Sequence, residues 1–319
     1  MYAMFEGCLS LKTIDFFRFN TSSVKEMSYM FYQCRSLLSF NLSNFNTSLV
    51  YSMAEMFYGC TLLESIDLSN FNTSSVLSMA GMFNWCTSLK SLDLSNFNTS
   101  LLIETYSMFS GCNSLKSINL SSFNTSLVIS MHNMFAECNS LESLDLSSFN
   151  TSSVVHMESM FYGCDSLKFL DISNFNMINC ENYHNLFSNI SSMIYINLYN
   201  FKNDKIISTI FNKSKNLFVC QSQNIITNPN AHNCCDYDFQ STKYNDFDPN
   251  NLYTSEFIQT SNENQINSES NQSSETTGKK NETDNNSHNN KSSDKISIGV
   301  IIGLISGIII IIIVFISIV

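Results

Sequence analysis

The sequence is poor in proline and glycine, with 2 Pro and 9 Gly in 319 residues, and three of those Gly fall in the last 21. A sandwich or barrel built from tight turns uses more of both, so an ordinary all-β globule is disfavoured. Basic residues are also scarce: 16 Lys and Arg stand against 27 Asp and Glu, for a net charge of −11. Residues 1–219 hold 11 Lys and Arg against 16 Asp and Glu, and residues 220–319 hold 5 against 11, so neither part offers the basic surface that nucleic acid requires. The five His are scattered, and no Cys-x-x-Cys or Cys-His cluster is present. Metal ligation needs convergent donors, so no metal site, cofactor site or catalytic constellation is expected, and the reading is of a protein that is not an enzyme. No phosphate-binding Gly loop or nucleophile elbow appears either.

What is present is a repeat. Met-Phe pairs recur at Met4, Met30, Met56, Met82, Met108, Met134 and Met160, always 26 residues apart. Leu186-Phe187 continues the register, and Ile210-Phe211 follows two residues early. Cys8, Cys34, Cys60, Cys86, Cys112, Cys138 and Cys164 keep the same beat. Seven units pass without an insertion, which marks a stacked array rather than two ordinary domains.

One unit, from Leu89, reads LKSLDLSNFNTSLLIETYSMFSGCNS. Its Leu89, Leu92 and Leu94 follow the leucine-rich-repeat strand pattern, as do Leu63, Ile66 and Leu68, Leu115, Ile118 and Leu120, and Leu141, Leu144 and Leu146. Alternation sends Leu92 and Leu94 to one face and Asp93 to the other. The Asn-Thr-Ser run that follows is turn chemistry. Met79, Met82, Phe83 and Cys86 are spaced i, i+3, i+4, i+7, which predicts a short helix or 3₁₀ turn. A single unit cannot bury both its strand and its Met-Phe wall, whereas stacked units can. Eight strands ~4.8 Å apart predict a parallel sheet of roughly 35 Å. The seven cysteines then line one buried row as free thiols packed like small hydrophobes.

Units of the form SLxSLDLSNFNTSxVxxMxxMFxGC resemble the BspA-type leucine-rich-repeat surface proteins of bacteria and parasitic protists, over about residues 1–200. The resemblance implies a secreted or surface-displayed protein that binds host or neighbouring-cell components. One departure matters. The slot that usually holds an inward Asn or Cys holds Phe45, Phe71, Phe97, Phe123, Phe149 and Phe175, so an aromatic spine replaces an Asn hydrogen-bond ladder.

The expected class is therefore an α/β repeat: a leucine-rich-repeat solenoid with parallel strands over residues 1–219, then a C-terminal cap over 220–241. Residues 242–295, rich in Asn, Ser, Thr and acids, read as a disordered stalk. Residues 296–319 are uncharged and apolar, spanning ~36 Å as a helix, enough for a ~30 Å hydrocarbon core. Gly299, Gly303 and Gly307 share one face of that helix and suit close packing, hence self-association through the transmembrane helix. A GPI signal is the competing reading of the tail, with Asn285-Asn286-Ser287 ahead of the apolar run. Met1 aligns with Met27 and Met53, so the chain begins in mid-repeat without a leader, and a longer upstream sequence is expected.

The outward strand row carries Asp15, Asn41, Asp67, Asp93, Asn119, Asp145, Asp171 and Asn197, flanked by Ser65, Ser91, Ser117 and Ser143 and by Ser69, Ser95, Ser121 and Ser147. Like charges one strand apart cost stability. Asp67, Asp93, Asn119, Asp145 and Asp171 are therefore a candidate strip for an extracellular protein or glycan partner, with a cationic partner surface or Ca²⁺ as what the charge would attract, against a solvated face as the plainer reading. Sequons recur at Asn20, Asn46, Asn72, Asn98, Asn124 and Asn150, where turn chemistry explains them, while Asn281 and Asn285 in the stalk are the better glycan acceptors. Cys180, Cys220, Cys234 and Cys235 fall off the ladder and are disulfide candidates in an extracellular protein. The function expected is cell-surface binding or adhesion by a single-pass membrane protein. Competing readings are a structural surface coat without a dedicated ligand, and a tail-anchored intracellular scaffold.

Overall fold

A computed structural model describes residues 1–198 and the strand at 218–220. These all belong to one compact unit. The expected cap apart from residue 220, the stalk and the apolar tail with Gly299, Gly303 and Gly307 lie outside the described residues, as do Asn281, Asn285, Cys234 and Cys235. Among the described residues no helix is long and apolar enough to cross a membrane.

The coils stack in parallel, as the period predicts. Four strands form one sheet in chain order: β1 (Ser143–Leu144), β2 (Phe169–Asp171), β3 (Tyr195–Asn197) and β4 (Phe218–Cys220). Leu144 pairs with Leu170 and Leu170 with Ile196, so equivalent positions of successive coils lie side by side. Among the described residues the expected eight-strand sheet is not formed. Earlier coils meet more sparsely on this side, through one bridge between Asp93 and Asn119 and single bonds such as Lys90 N–H to Glu64 C=O at 3.0 Å. The pairing stays short because the residue ending each strand turns its side chain back onto the chain. Asp67 and Asp93 each accept the N–H two residues on, which closes a turn there.

A second parallel ladder runs through Glu26, Ser52, Ser78, Glu104, Ser130, His156 and Asn182, one bridge per coil. Beyond it lies the Met-Phe wall, and here neither the expected short helix nor the 3₁₀ turn forms among the described residues. Met82, Asn84 and Cys86 donate to carbonyls three residues back, but Met79, Gly81, Phe83 and Trp85 donate to Glu104, Tyr106, Met108 and Ser110 of the next coil. Gly81 and Trp85 sit at φ 59° and 58°, and the pattern repeats at Glu55 and Gly59 and at Ser107 and Gly111. A left-handed residue every fourth position cannot belong to a right-handed helix. The wall is instead a chain of tight turns whose alternate N–H groups stitch coil to coil. At Gly111, φ is 73°, and a Cβ there would meet the Trp85 ring at 3.0 Å, so a side chain would require that ring to shift.

The core matches the repeat columns. Leu89, Leu94, Met79, Met82, Phe83 and Cys86 are fully buried, and Leu92 nearly so. Ile66 is only partly buried. Wall phenylalanines from Phe5 to Phe187 stack face to face in one file, with centroids 5.5–6.0 Å apart and planes within 16°. The expected second spine, Phe45 through Phe175, is buried throughout, with Phe123 and Phe149 stacked at 6.5 Å.

The missing Asn ladder has a substitute that the sequence reading overlooked. Thr21, Thr47, Thr73, Thr99, Thr125 and Thr151 are buried. Each hydroxyl donates to the carbonyl of an Asn in the next coil, and accepts that same Asn's N–H. For Thr99 and Asn124 the two distances are 3.1 and 2.7 Å. Six such rungs satisfy both backbone groups of a buried turn, from Thr21 with Asn46 to Thr151 with Asn176. The sequons are thereby accounted for locally. The Asn supplies Oδ1 to the Ser N–H two residues on, and the Thr builds the rung.

Candidate interaction surface

The outward strand row stands where alternation places it. Asp67, Asp93, Asn119 and Asp145 are exposed, and Asp171, inside β2, is half-buried. Their shared geometry is a capped turn. The Oδ1 of Asp15, Asn41, Asp67, Asp93, Asn119, Asp145 and Asp171 accepts the N–H two residues later at 2.8–3.0 Å. Asp and Asn serve alike because both own that oxygen, which is why they interchange along the row. The three Asn positions, 41, 119 and 197, also break the column of charge, so the repulsion expected from an unbroken file is confined to neighbours such as Asp67 and Asp93. The donated hydrogen bonds hold the Asp67 and Asp93 carboxyls below the usual carboxylate range. One contact along the row links coils directly, from Asn197 Nδ2 to Asp171 Oδ2 at 3.0 Å.

The row is thus a set of oriented acceptors. At Asp67, Asp93 and Asp145 the backbone N–H two residues on holds Oδ1, which fixes the orientation of the exposed carboxylate. Serines flank it: Ser65, Ser91, Ser117 and Ser143 on one side and Ser69, Ser95, Ser121 and Ser147 on the other are exposed. Such a surface is suited to accept hydrogen bonds from ammonium, guanidinium or sugar hydroxyl groups.

A second surface breaks the repeat symmetry, and the sequence reading passed over it. On the Met-Phe wall the outward positions vary from coil to coil. Tyr29 lies 5.4 Å from Tyr2 and 5.6 Å from Tyr32, and Tyr32 stacks on Tyr58 at 4.6 Å. Glu55 accepts from the Tyr29 hydroxyl at 3.4 Å. Burial, then the Glu55 charge, pushes Tyr29 up to about 12, and burial raises Glu55 itself. Further along, Tyr106 stacks on His132 at 4.7 Å, and His132 Nδ1 pairs with Ser130 Oγ at 2.7 Å. Burial lowers the His132 pKa, which keeps the ring neutral at pH 7. The available signal was the variation itself, at positions 29, 55, 81 and 107 and at 32, 58, 84 and 110, among columns that otherwise hardly change.

The cysteine ladder is inward, with one exception. Cys34, Cys60, Cys86, Cys112, Cys138 and Cys164 are free and buried. Each donates weakly to the carbonyl of the Phe 29 residues earlier, as Cys86 does to Phe57 at 3.1 Å. Burial pushes Cys34 up to about 11 and Cys112 and Cys164 up to about 12. A thiol held protonated is a poor nucleophile and a poor metal ligand. Cys8, expected in the same buried row, is exposed. Cys180 is free and half-buried, its Sγ 3.5 Å from the Asn182 carbonyl. Among the described residues no three His, Cys, Asp or Glu side chains are grouped so as to hold a metal ion.

The family described as "Mycoplasma protein of unknown function, DUF285" matches the chain over residues 1–118 and 104–224. No curated protein matches it. Among solved structures, the chain is similar to one described as "Crystal structure of TLR13-ssRNA13 complex", at 20% identity and a TM-score of 0.26. That match covers 60% of this chain and 33% of the other.

Proposed function

The chain belongs to the family described as Mycoplasma protein of unknown function, DUF285, and from that premise we propose that it is a cell-surface binding or adhesion protein of the BspA type. Its coils present the polar strand row to an extracellular protein or glycan, and the apolar tail holds it in the membrane. The observation that carries this reading is the preorganisation of the row. In seven coils the Asp or Asn side chain is already fixed by its own backbone, at 2.8–3.0 Å. A partner that meets preset acceptors one coil apart loses little side-chain freedom from them on binding. A rigid, repeated file of this kind favours an extended partner, and its carboxylates favour one bearing cationic or hydroxyl groups.

The test is a binding screen with the full chain on beads. Immobilised extracellular-matrix proteins and a glycan array serve as probes, and poly-lysine is the control for plain charge attraction. Saturable binding to a defined protein or glycan, weakened by salt, supports the proposal. Retention on poly-lysine alone, or no saturable binding at all, contradicts it and leaves a coat without a dedicated ligand.

A further inference from the structure

Beside the second ladder runs a rib that neither the core nor the polar row uses. One residue per coil projects from it: Tyr51, Leu77, Ile103, Ile129 and Val155, all exposed or half-buried. The backbone under them is a continuous ladder, with the Leu77, Ile103, Ile129 and Val155 N–H groups each donating to the residue one coil earlier at 2.8–2.9 Å. Two positions earlier in each coil, Leu49, Leu101 and Leu127 are 52%, 45% and 39% exposed. The rib is therefore a stiff apolar stripe facing out. Among the described residues the same column also holds Lys25 on one side of this stripe and Glu181 on the other, both exposed, and neither forms an ion pair there.

We propose that this rib is a self-association surface that pairs with a second copy of the chain, antiparallel, about a two-fold axis through Ile103. The order of residues along the rib chooses both the occupant and the direction. In an antiparallel pair Lys25 meets the partner's Glu181, and Glu181 meets the partner's Lys25. Tyr51 faces the partner's Val155, Leu77 faces the partner's Ile129, and Ile103 faces itself. In the flanking column Leu49 falls opposite the partner's Ser153 and Ser75 opposite the partner's Leu127, so a large side chain meets a small one there, while Leu101 meets its own copy. A parallel pair sets Lys25 against Lys25 and Glu181 against Glu181, which is repulsive at both ends. An isologous interface requires such self-complementarity.

A rib of six coil steps at ~4.8 Å is about 29 Å long. The inference uses different residues from the polar row and stands or falls separately from the binding reading.

The experiment is sedimentation of the full chain in detergent micelles with reductant, over about 1–100 µM protein. The wild type should show a reversible monomer–dimer equilibrium. Ile103→Glu, which places two carboxylates on the axis, should leave monomer throughout. Lys25→Glu should weaken association at least ~10-fold, because both terminal pairs become repulsive. Adding Glu181→Lys to it should restore the affinity to within about threefold of wild type. Within one chain these two residues are too far apart to rescue each other, so recovery reports pairing between copies. Protection of the buried ladder thiols verifies the fold of each variant, and the charge exchange decides the question where Ile103→Glu fails that check. A wild type that stays monomeric, a dimer that survives Ile103→Glu, or a double variant as weak as Lys25→Glu overturns the proposal. The second of these places association in the apolar tail instead.

Discussion

Raising the pH should unfold the array sharply between about 9.5 and 10.5, because the cysteine ladder resists ionisation only in the folded state. A free thiol titrates near 8.5–9. In the fold, burial pushes Cys112 and Cys164 up to about 12, and raises Cys60, Cys86 and Cys138 as well. Below the unfolded pKa both states hold the protons and nothing is lost. Above it the unfolded chain releases protons that the folded chain keeps, so stability falls as pH rises toward the folded values. One pH unit corresponds to about 1.4 kcal/mol per thiol. Five buried thiols therefore remove roughly 7 kcal/mol by pH 10, which is comparable to the whole stability of a typical domain, about 5–15 kcal/mol. Tyr29, pushed up to about 12, acts in the same direction. The assay is urea unfolding of the full chain by circular dichroism at pH 8, 9, 9.5 and 10 with reductant, with thiolate absorbance followed in parallel. Thiolate of the ladder cysteines should appear together with unfolding, while in the native protein Cys8 reacts with a thiol reagent and the six buried ladder cysteines do not. A Cys86→Ala, Cys112→Ala double variant should lose less stability per pH unit, by about two thiols' worth. Thiolate forming near pH 9 with the circular dichroism unchanged refutes the reasoning, as does flat stability from pH 8 to 10.

Replacing Thr99 by Val keeps the shape but removes both bonds to Asn124, so it should cost about 2–3 kcal/mol in urea unfolding, whereas Thr99→Ser, which keeps the hydroxyl, should cost about 1 kcal/mol. Equal costs for the two contradict the ladder. Asp93→Ala should lower the melting temperature at pH 7 while Asp93→Asn leaves it unchanged, because only the alanine lacks the Oδ1 that holds the Ser95 N–H. On acidification the Asp93 contribution should fade below the ordinary carboxylate pKa and vanish as pH falls through the depressed folded value, and Asp93→Asn should remove that dependence. The apolar run at 296–319 should keep the full chain in the membrane pellet on carbonate extraction. Recovery in the soluble fraction sinks the anchor, and release by a phosphatidylinositol-specific phospholipase makes it a GPI anchor.

Much of the fold was legible because a 26-residue period fixes which residues become neighbours before any geometry is known. Leu94, Phe97, Met82, Phe83 and Cys86 could be placed in the core from recurrence alone, and the structure buries each of them. The wall was misread because i, i+3, i+4, i+7 spacing describes a run of i-to-i+3 turns as well as a helix. Apolar spacing does not report the sign of φ at Trp85 or Glu55. The recurrence of Gly59, Gly111 and Gly163 in one column was the available hint. Thr99 was hidden for a different reason. A threonine between two asparagines reads as polar turn, and nothing in its local sequence says that its hydroxyl serves the next coil. The polar row was located correctly, but its recurrence has a cause internal to the chain. Asp93 recurs because it caps its own turn, so repetition by itself does not mark a partner's footprint.

The claim that the row nevertheless meets a partner is tested most directly by removing its charge without touching its caps. Asp67→Asn, Asp93→Asn and Asp145→Asn together keep every Oδ1, as Asn41 and Asn119 already do in the native chain. Affinity for the protein or glycan found in the screen is then measured against salt concentration. The account predicts an intact fold, at least ~10-fold weaker binding and a shallower salt dependence. Unchanged affinity and an unchanged salt slope in a folded triple variant contradict it.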